Sequence, residues 1–156
     1  MTTLNLDSTD RQLLEALQQD ARTTVAELAQ RVSLSPSPCW RRVRQLEETG
    51  VIEGYHAHLS RHKLDYGVTG FVHLQMNNHM PDIMAAFERE VVALPQVLSC
   101  HNLSGRYDYL IEAIAPDLES FSQLVRVKIR SLPGVKEIST RFSLKEVKQG
   151  GGLPVG

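Results

Sequence analysis

Residues 35–55, SPSPCWRRVRQLEETGVIEGY, read as a short helix carrying three arginines, a glycine stop and an extended exit. Ser35 suits the N-cap, where a hydroxyl accepts from an unpaired first-turn amide. Pro36 suits the first helical position, where a missing N–H costs nothing. Cys39, Val43 and Leu46 recur at i, i+4 and i+7 and predict one narrow buried stripe. Ser37, Arg41, Arg44 and Glu48 fall on the opposite side, and Gly50 ends the helix as a C′ glycine does. A buried stripe backed by serine and arginine is the surface that major-groove reading needs. It is also the surface of any solvated amphipathic helix, so the neighbouring sequence has to decide.

Upstream, Asp7 followed by Asp10 resembles a capping box, with Asp in place of Glu, and opens a helix burying Leu13, Leu14 and Leu17. After Asp20-Ala21-Arg22, Thr23 or Thr24 caps a second helix with Val25, Leu28, Ala29 and Val32 inward. Ser33-Leu34-Ser35 leads straight into the arginine helix. Three short helices, the last two a few residues apart, have the spacing of a helix-turn-helix; a plain structural bundle is the alternative. Read as DNA-binding, the helix offers Ser37, Arg41 and Arg44 to base edges or phosphate. Ser35 and Pro38 place its free first-turn amides near the backbone. Arg42, on the flank, is expected on phosphate, which positions without specifying sequence. Trp40 either packs over Val43 and the first helix or touches a thymine methyl, and packing is preferred.

Downstream, Val51–Leu59 alternates as a half-exposed strand does, and residues 60–66 form a polar linker. The pattern then changes. Gly67–Met76 is strand-like, Pro81–Val92 helical through Ile83, Phe87 and Val91, Val97–Leu103 a strand, Ser104-Gly105-Arg106 a turn and Tyr107–Ala115 the returning strand. Asp117 caps a helix expected to bury Leu118, Phe121, Val125 and Leu132, and Val135–Val147 is the last strand. The order β-α-β-β-α-β predicts a ferredoxin-like sheet with both helices on one face. Leu94-Pro95-Gln96-Val97 and Leu132-Pro133-Gly134-Val135 repeat one helix-to-strand corner, as a pseudo-twofold pair should. Phe71, Cys100, Tyr109, Ile111 and Phe142 are expected on the uncovered face, which invites a second subunit. The fold class is therefore α+β, with a winged-helix-like helix-turn-helix domain over 1–59 and a ferredoxin-like domain over 67–148. Residues 149–156 form a flexible glycine-rich tail.

Composition excludes several functions. No apolar run has membrane length and no signal-peptide pattern opens the chain, so a cytoplasmic, nucleoid-associated protein without membrane contact is expected. Cys39 and Cys100 stand in no metal or redox spacing and are expected to stay reduced. His56, His58 and His62 cluster without a Cys or carboxylate partner at ligand spacing, so neither metal nor cofactor is expected. No nucleophile stands with a base at motif spacing and there is no phosphate loop, which argues against an enzyme; His101 with Asp108 is the one pair to check. Net charge is −1, and residues 1–60 hold six Arg and no Lys against eight acidic residues. Contact with double-stranded DNA must then come from clustered arginines, and useful affinity from several copies together.

The motifs in this order resemble the Lrp/AsnC family of feast/famine transcription regulators over nearly the whole chain, from Leu6 to Lys148. The resemblance rests on Asp20-Ala21-Arg22, Glu27-Leu28-Ala29, Leu34–Cys39, Arg42-Val43, Leu46-Glu47 and Gly50-Val51-Ile52. Gly105–Tyr109, Leu132–Val135 and Lys145–Lys148 extend it through the second domain. It implies a DNA-binding regulator whose ligand domain dimerises by sheet pairing, assembles into octameric or larger rings, and binds a small amino acid between neighbouring dimers. By the same resemblance the effector turn is Ser104-Gly105-Arg106-Tyr107-Asp108, with Asn102, Leu118, Arg141, Phe142 and Ser143 nearby. In that role Gly105 admits a close backbone approach, turn amides hold the effector carboxylate, and Asp108 accepts from its α-ammonium. On the residues alone, Gly105 turning a hairpin and Asp108 capping it explains the motif equally well. Arg106 and Arg141 depart from residues often acidic or uncharged in relatives, and are expected to bias the site toward a polar or anionic effector side chain or to face solvent. A ligand-independent architectural DNA-bending protein is the alternative function.

Overall fold

The computed structural model describes residues 5–148 and 150–155, and these fall into two compact units. One comprises the chain up to His58 with the residues from Lys148 onward; the other is Leu59–Val147.

The first unit is three helices, α1 (Ser8–Gln19), α2 (Val25–Arg31) and α3 (Pro36–Glu48). Their starts follow from local chemistry. Asp7 and Asp10 form a reciprocal capping box on α1, and Thr24 with Glu27 form one on α2. Ser35 occupies the N-cap of α3, but its hydroxyl makes no capping bond; Pro36 and Pro38 have no N–H to offer it. Leu13, Ala16, Leu28, Ala29, Val32, Cys39 and Val43 form the core, and the predicted stripe of α3 is buried. Ser33 makes the α2–α3 turn at φ 55°, a left-handed conformation that a sequence usually gives to glycine. Gly50 follows the Thr49 C-cap at φ 73°.

Val51–Leu59 forms no strand. The Ile52 amide bonds the Leu46 carbonyl at 3.0 Å and its side chain joins the helical core, and the rest pairs with no strand among the described residues. The glycine-rich end, expected to fray, lies against α1. Gln18 donates to the Leu153 carbonyl and accepts from its amide, and Arg11 donates to the Val155 carbonyl. Leu153 and Val155 share a groove with Leu14 and Leu17, while residues 149 and 156 of the expected tail lie outside the described residues.

The second unit opens with a 3-10 turn, His62–Leu64, followed by β1 (Val68–Met76), α4 (Pro81–Val92), β2 (Val97–Asn102), β3 (Tyr109–Ala115), α5 (Leu118–Gln123) and β4 (Val135–Phe142). The sheet is antiparallel in the order β2-β3-β1-β4, the ferredoxin-like arrangement. Its repeated corners make the same bond, Val97 N–H to Leu94 O at 3.0 Å and Val135 N–H to Leu132 O at 3.3 Å.

Three expectations change here. α5 continues as a π-helical turn over Leu124–Ile129, which brings Leu124 and Ile129 into the core and leaves Leu118 59% exposed. β4 stops at Phe142, short of Val147. The strand register also reassigns the uncovered face. Tyr109 and Ile111 are buried under the helices, and Cys100 packs against that core. Phe142 stands edge-on to Phe121 at 5.2 Å, on the same side. Of the five residues expected on the bare face, only Phe71 has the alternating phase that puts it there, opposite Glu112 and Arg141. Gly70, on the helix side, is where the Phe121 ring lies; a Cβ there would meet Phe121 Cζ at 2.4 Å.

Candidate DNA-binding face and effector site

α3 turns Ser35, Ser37, Trp40, Arg41 and Arg44 to solvent, with Pro38 half-buried at its base. Its three arginines differ sharply. Arg42 Nη1 bonds Asp7 Oδ2 and Asp10 Oδ1, both at 2.8 Å, and so ties α3 to the start of α1. Hydrogen bonds to Asp10 and then Asp7 raise its pKa further. Arg44 Nε pairs with Glu48 at 2.7 Å, and its guanidinium lies 5.2 Å from the Trp40 ring centre. Trp40 is half exposed and borders a groove with Leu17 and Val43, in keeping with the packing option. Arg41 alone of the three forms no ion pair among the described residues. The outward face therefore presents Ser37, Arg41 and an Arg44 that is already stacked and pre-oriented.

In the second unit, the β2–β3 turn holds Ser104, Gly105, Arg106, Tyr107 and Asp108. Leu103 N–H bonds Asp108 O at 2.8 Å and closes the turn; Gly105 adopts φ 116°, with nothing within 4 Å of where a Cβ would stand. Asn102 Nδ2 donates to Asp108 O at 3.1 Å, which puts Asn102 in the same cluster. Asp108 is anchored three ways. Its amide donates to Leu74 O at 2.8 Å, its Oδ2 accepts from Met76 N–H at 2.7 Å, and His79 Nε2 lies 2.9 Å from Oδ1. Burial acts to raise this carboxyl, but the Met76 amide, then the His79 imidazole, outweigh it and hold it below the ordinary carboxylate range. Arg106 lies 3.5 Å from Glu137 and over the Tyr107 ring, which in turn tilts against His73 at 5.2 Å.

The remaining candidates are elsewhere. Ser143 N–H bonds Thr69 O at 2.9 Å and Phe142 faces Gly70, at the start of β1, whereas the Asp108 turn sits at its end beside Met76. The seven residue steps from Thr69 to Met76 span roughly 20 Å of strand. Leu118 and Arg141 belong to the far end as well. One chain therefore brings together Asn102 and residues 104–108, and not Leu118, Arg141, Phe142 and Ser143.

The sequence reading missed His79, which stands 29 residues from Asp108 and in no motif. His101, the histidine it paired with Asp108, faces Leu110 across the ladder. Among the described residues no cluster of three His, Cys, Asp or Glu has metal-binding geometry, and no helix is long and apolar enough to cross a membrane. Burial, then the Glu88 carboxylate, pushes the Cys100 thiol up to about 11, and burial raises that of Cys39; both are poor nucleophiles.

Comparison with known proteins gives this geometry a context. Residues 6–53 match the family described as winged helix-turn-helix DNA-binding, and residues 69–153 match the Lrp/AsnC ligand binding domain. The leucine-responsive regulatory proteins of Escherichia coli (strain K12) and Salmonella typhimurium are each 40% identical over 151 residues, covering 97% of this chain and 92% of theirs. Among solved structures, a transcriptional regulator from Neisseria meningitidis in complex with L-Met superposes with TM-score 0.92 at 39% identity, covering 97% of both chains. An AsnC family regulator from Agrobacterium tumefaciens gives 0.91 at 33% identity, over 96% of this chain and 97% of that one. The chain, with a winged helix-turn-helix in one unit and a ligand binding domain in the other, belongs to the Lrp/AsnC family of DNA-binding, amino-acid-responsive transcription regulators.

Proposed function

We propose that this regulator reads DNA with Ser37, Arg41 and Arg44 of α3 and takes its effector at the turn 104–108, in a site completed by a second copy of the chain. The pairing of an exposed arginine face with Asp108, anchored under an open glycine turn, carries the reading. Ser35 and Pro38 place the α3 N-terminus near phosphate, and Trp40 serves as the platform on which Arg44 lies. Asp108 receives the effector's α-ammonium, while the amides of residues 104–106 receive its carboxylate. The separation of this turn from Leu118, Arg141, Phe142 and Ser143 supports a site shared between chains, and hence homodimers joined into larger rings. Relatives named leucine-responsive and a neighbour solved with L-Met make leucine and methionine the first effectors to try. No catalytic step is assigned to the chain, and its place of action is the cytoplasm, on the nucleoid.

The test is DNA affinity, measured by fluorescence anisotropy on a selected site and on random duplex, with and without each amino acid. Arg41→Ala should lose about 1–3 kcal/mol on the selected site and relax its specificity there. An equal loss on every sequence would reduce Arg41 to a phosphate contact. An affinity and assembly state indifferent to every amino acid would leave an architectural DNA-bending protein instead.

A further inference from the structure

The turn's one carboxylate faces a histidine from a different element. His79 precedes α4, and its Nε2 lies 2.9 Å from Asp108 Oδ1, while Oδ2 is occupied by the Met76 amide. The oxygen left for an incoming cation is therefore the one on which His79 sits. The His79 side chain is 62% exposed and that of Asp108 21%, so protons and small solutes reach the pair. Neutral imidazole donates its Nε2–H and leaves the carboxylate's charge available. Protonated imidazole cancels that charge, and an ammonium group arriving at the same oxygen then meets a second cation.

We infer that His79 is a proton-controlled gate on Asp108: the α-ammonium of an amino-acid effector and the extra proton on His79 exclude each other, so acidification weakens effector binding. This rests on reading residues 104–108 as the effector turn. The balance is simple. Protonated His79 gives one proton to the buffer as the ammonium binds, and the effector itself changes no bond and no charge. Other charged groups near the turn do not supply the same response. Arg106 with its partner Glu137, and Asp82 in the first turn of α4, form no ion pair with Asp108 among the described residues. His73, which lies against Tyr107, is the other histidine close to the turn, and it forms no hydrogen bond or ion pair with Asp108 among the described residues.

Calorimetry on the full chain with leucine and with methionine, between about pH 5.5 and about pH 8, reads the effect. Wild-type affinity should fall by up to about tenfold per pH unit once the imidazole is protonated, with about one proton released per effector in buffers of different ionisation heat. His79→Gln and His79→Ala should keep binding at the alkaline end and lose the slope. A flat wild-type profile, tighter binding on acidification, or an undiminished slope in both variants overturns the gate. Failure of every amino acid tried to bind wild type at the alkaline end refutes the effector turn itself, and the gate with it. The reciprocal measurement is NMR titration of the His79 ring, whose midpoint should move to lower pH on saturation with effector. A midpoint that saturating effector leaves in place overturns the competition even where binding is intact.

Discussion

Arg42, the flank arginine expected on phosphate, binds two carboxylates at the start of α1. The same contact has a pH signature. The Asp7 carboxyl lies below its ordinary 3.8, chiefly because it accepts the Asp10 amide and further because Arg42 sits against it. A carboxyl depressed in the folded state stabilises that state fully above its unfolded pKa and loses the contribution as pH falls through the folded value. The chain's single tryptophan, Trp40, lies on α3, so its fluorescence follows this unit alone. Urea midpoints read by Trp40 should decline in wild type from about pH 6 to about pH 3, and decline less steeply in Asp7→Asn, which keeps a capping side chain but drops the ion pair. Arg42→Ala should lower the midpoint at neutral pH, whereas Arg41→Ala should leave it in place. A stability loss shared equally by both variants would mean that the Asp7–Arg42–Asp10 cluster contributes nothing in solution.

α5 marks where an element stops being legible from local pattern. Its start was plain, because Asp117 accepts from the Ser120 amide at 2.7 Å and such a cap is written in one residue. Its length was not, since a 3.6-residue period assumes an unbroken α-helix. The π turn over Leu124–Ile129 inserts an extra residue, so Leu124 and Ile129 take the fully inward positions while Val125 packs at the edge of the core. Ile129→Ala, at a side chain with no exposure, should cost about 2–5 kcal/mol. Leu118→Ala, at an exposed one, should stay within about 0.5 kcal/mol. Denaturant melts followed by circular dichroism check both, and a large loss for Leu118 would restore the uninterrupted helix. Elements set by a proline start and their own period, such as α4 at Pro81–Val92, could be read from the sequence to the residue. The supposed strand at Val51–Leu59 could not, because alternation supplies a pattern but not a partner. Sheet facing failed for a related reason: Phe142 lies beside Phe121 through a register fixed by strands far apart in sequence.

At the scale of the whole molecule, the effector candidates divide by geometry. Residues 104–108 could be read as a turn because they are consecutive, whereas their effector role is implied only by the family resemblance. The far group was legible only by resemblance, and no spacing in the sequence shows that roughly 20 Å of β1 separates the two. A ligand the size of an amino acid cannot span that distance, so both groups touch one effector only if they come from different copies. This has a measurable consequence. Asp108→Asn removes the ammonium acceptor from one end, and Arg141→Ala combined with Ser143→Ala alters the other. Each variant alone should bind effector poorly. Unfolded together in equal amounts and refolded into mixed assemblies, they should recover about a quarter of the wild-type sites, the fraction in which an intact turn meets an intact far end. If a site were built within one chain, every site in the mixture would carry a defect and nothing would be recovered. The same arithmetic governs the DNA side. With eight acidic residues against six arginines up to residue 60, and Arg42 held internally, one copy of α3 has little charge to offer. Under the proposed function, an effector that sets how the copies meet would set how many arginine faces reach the DNA at once, and by that route its binding energy would become a change in DNA affinity.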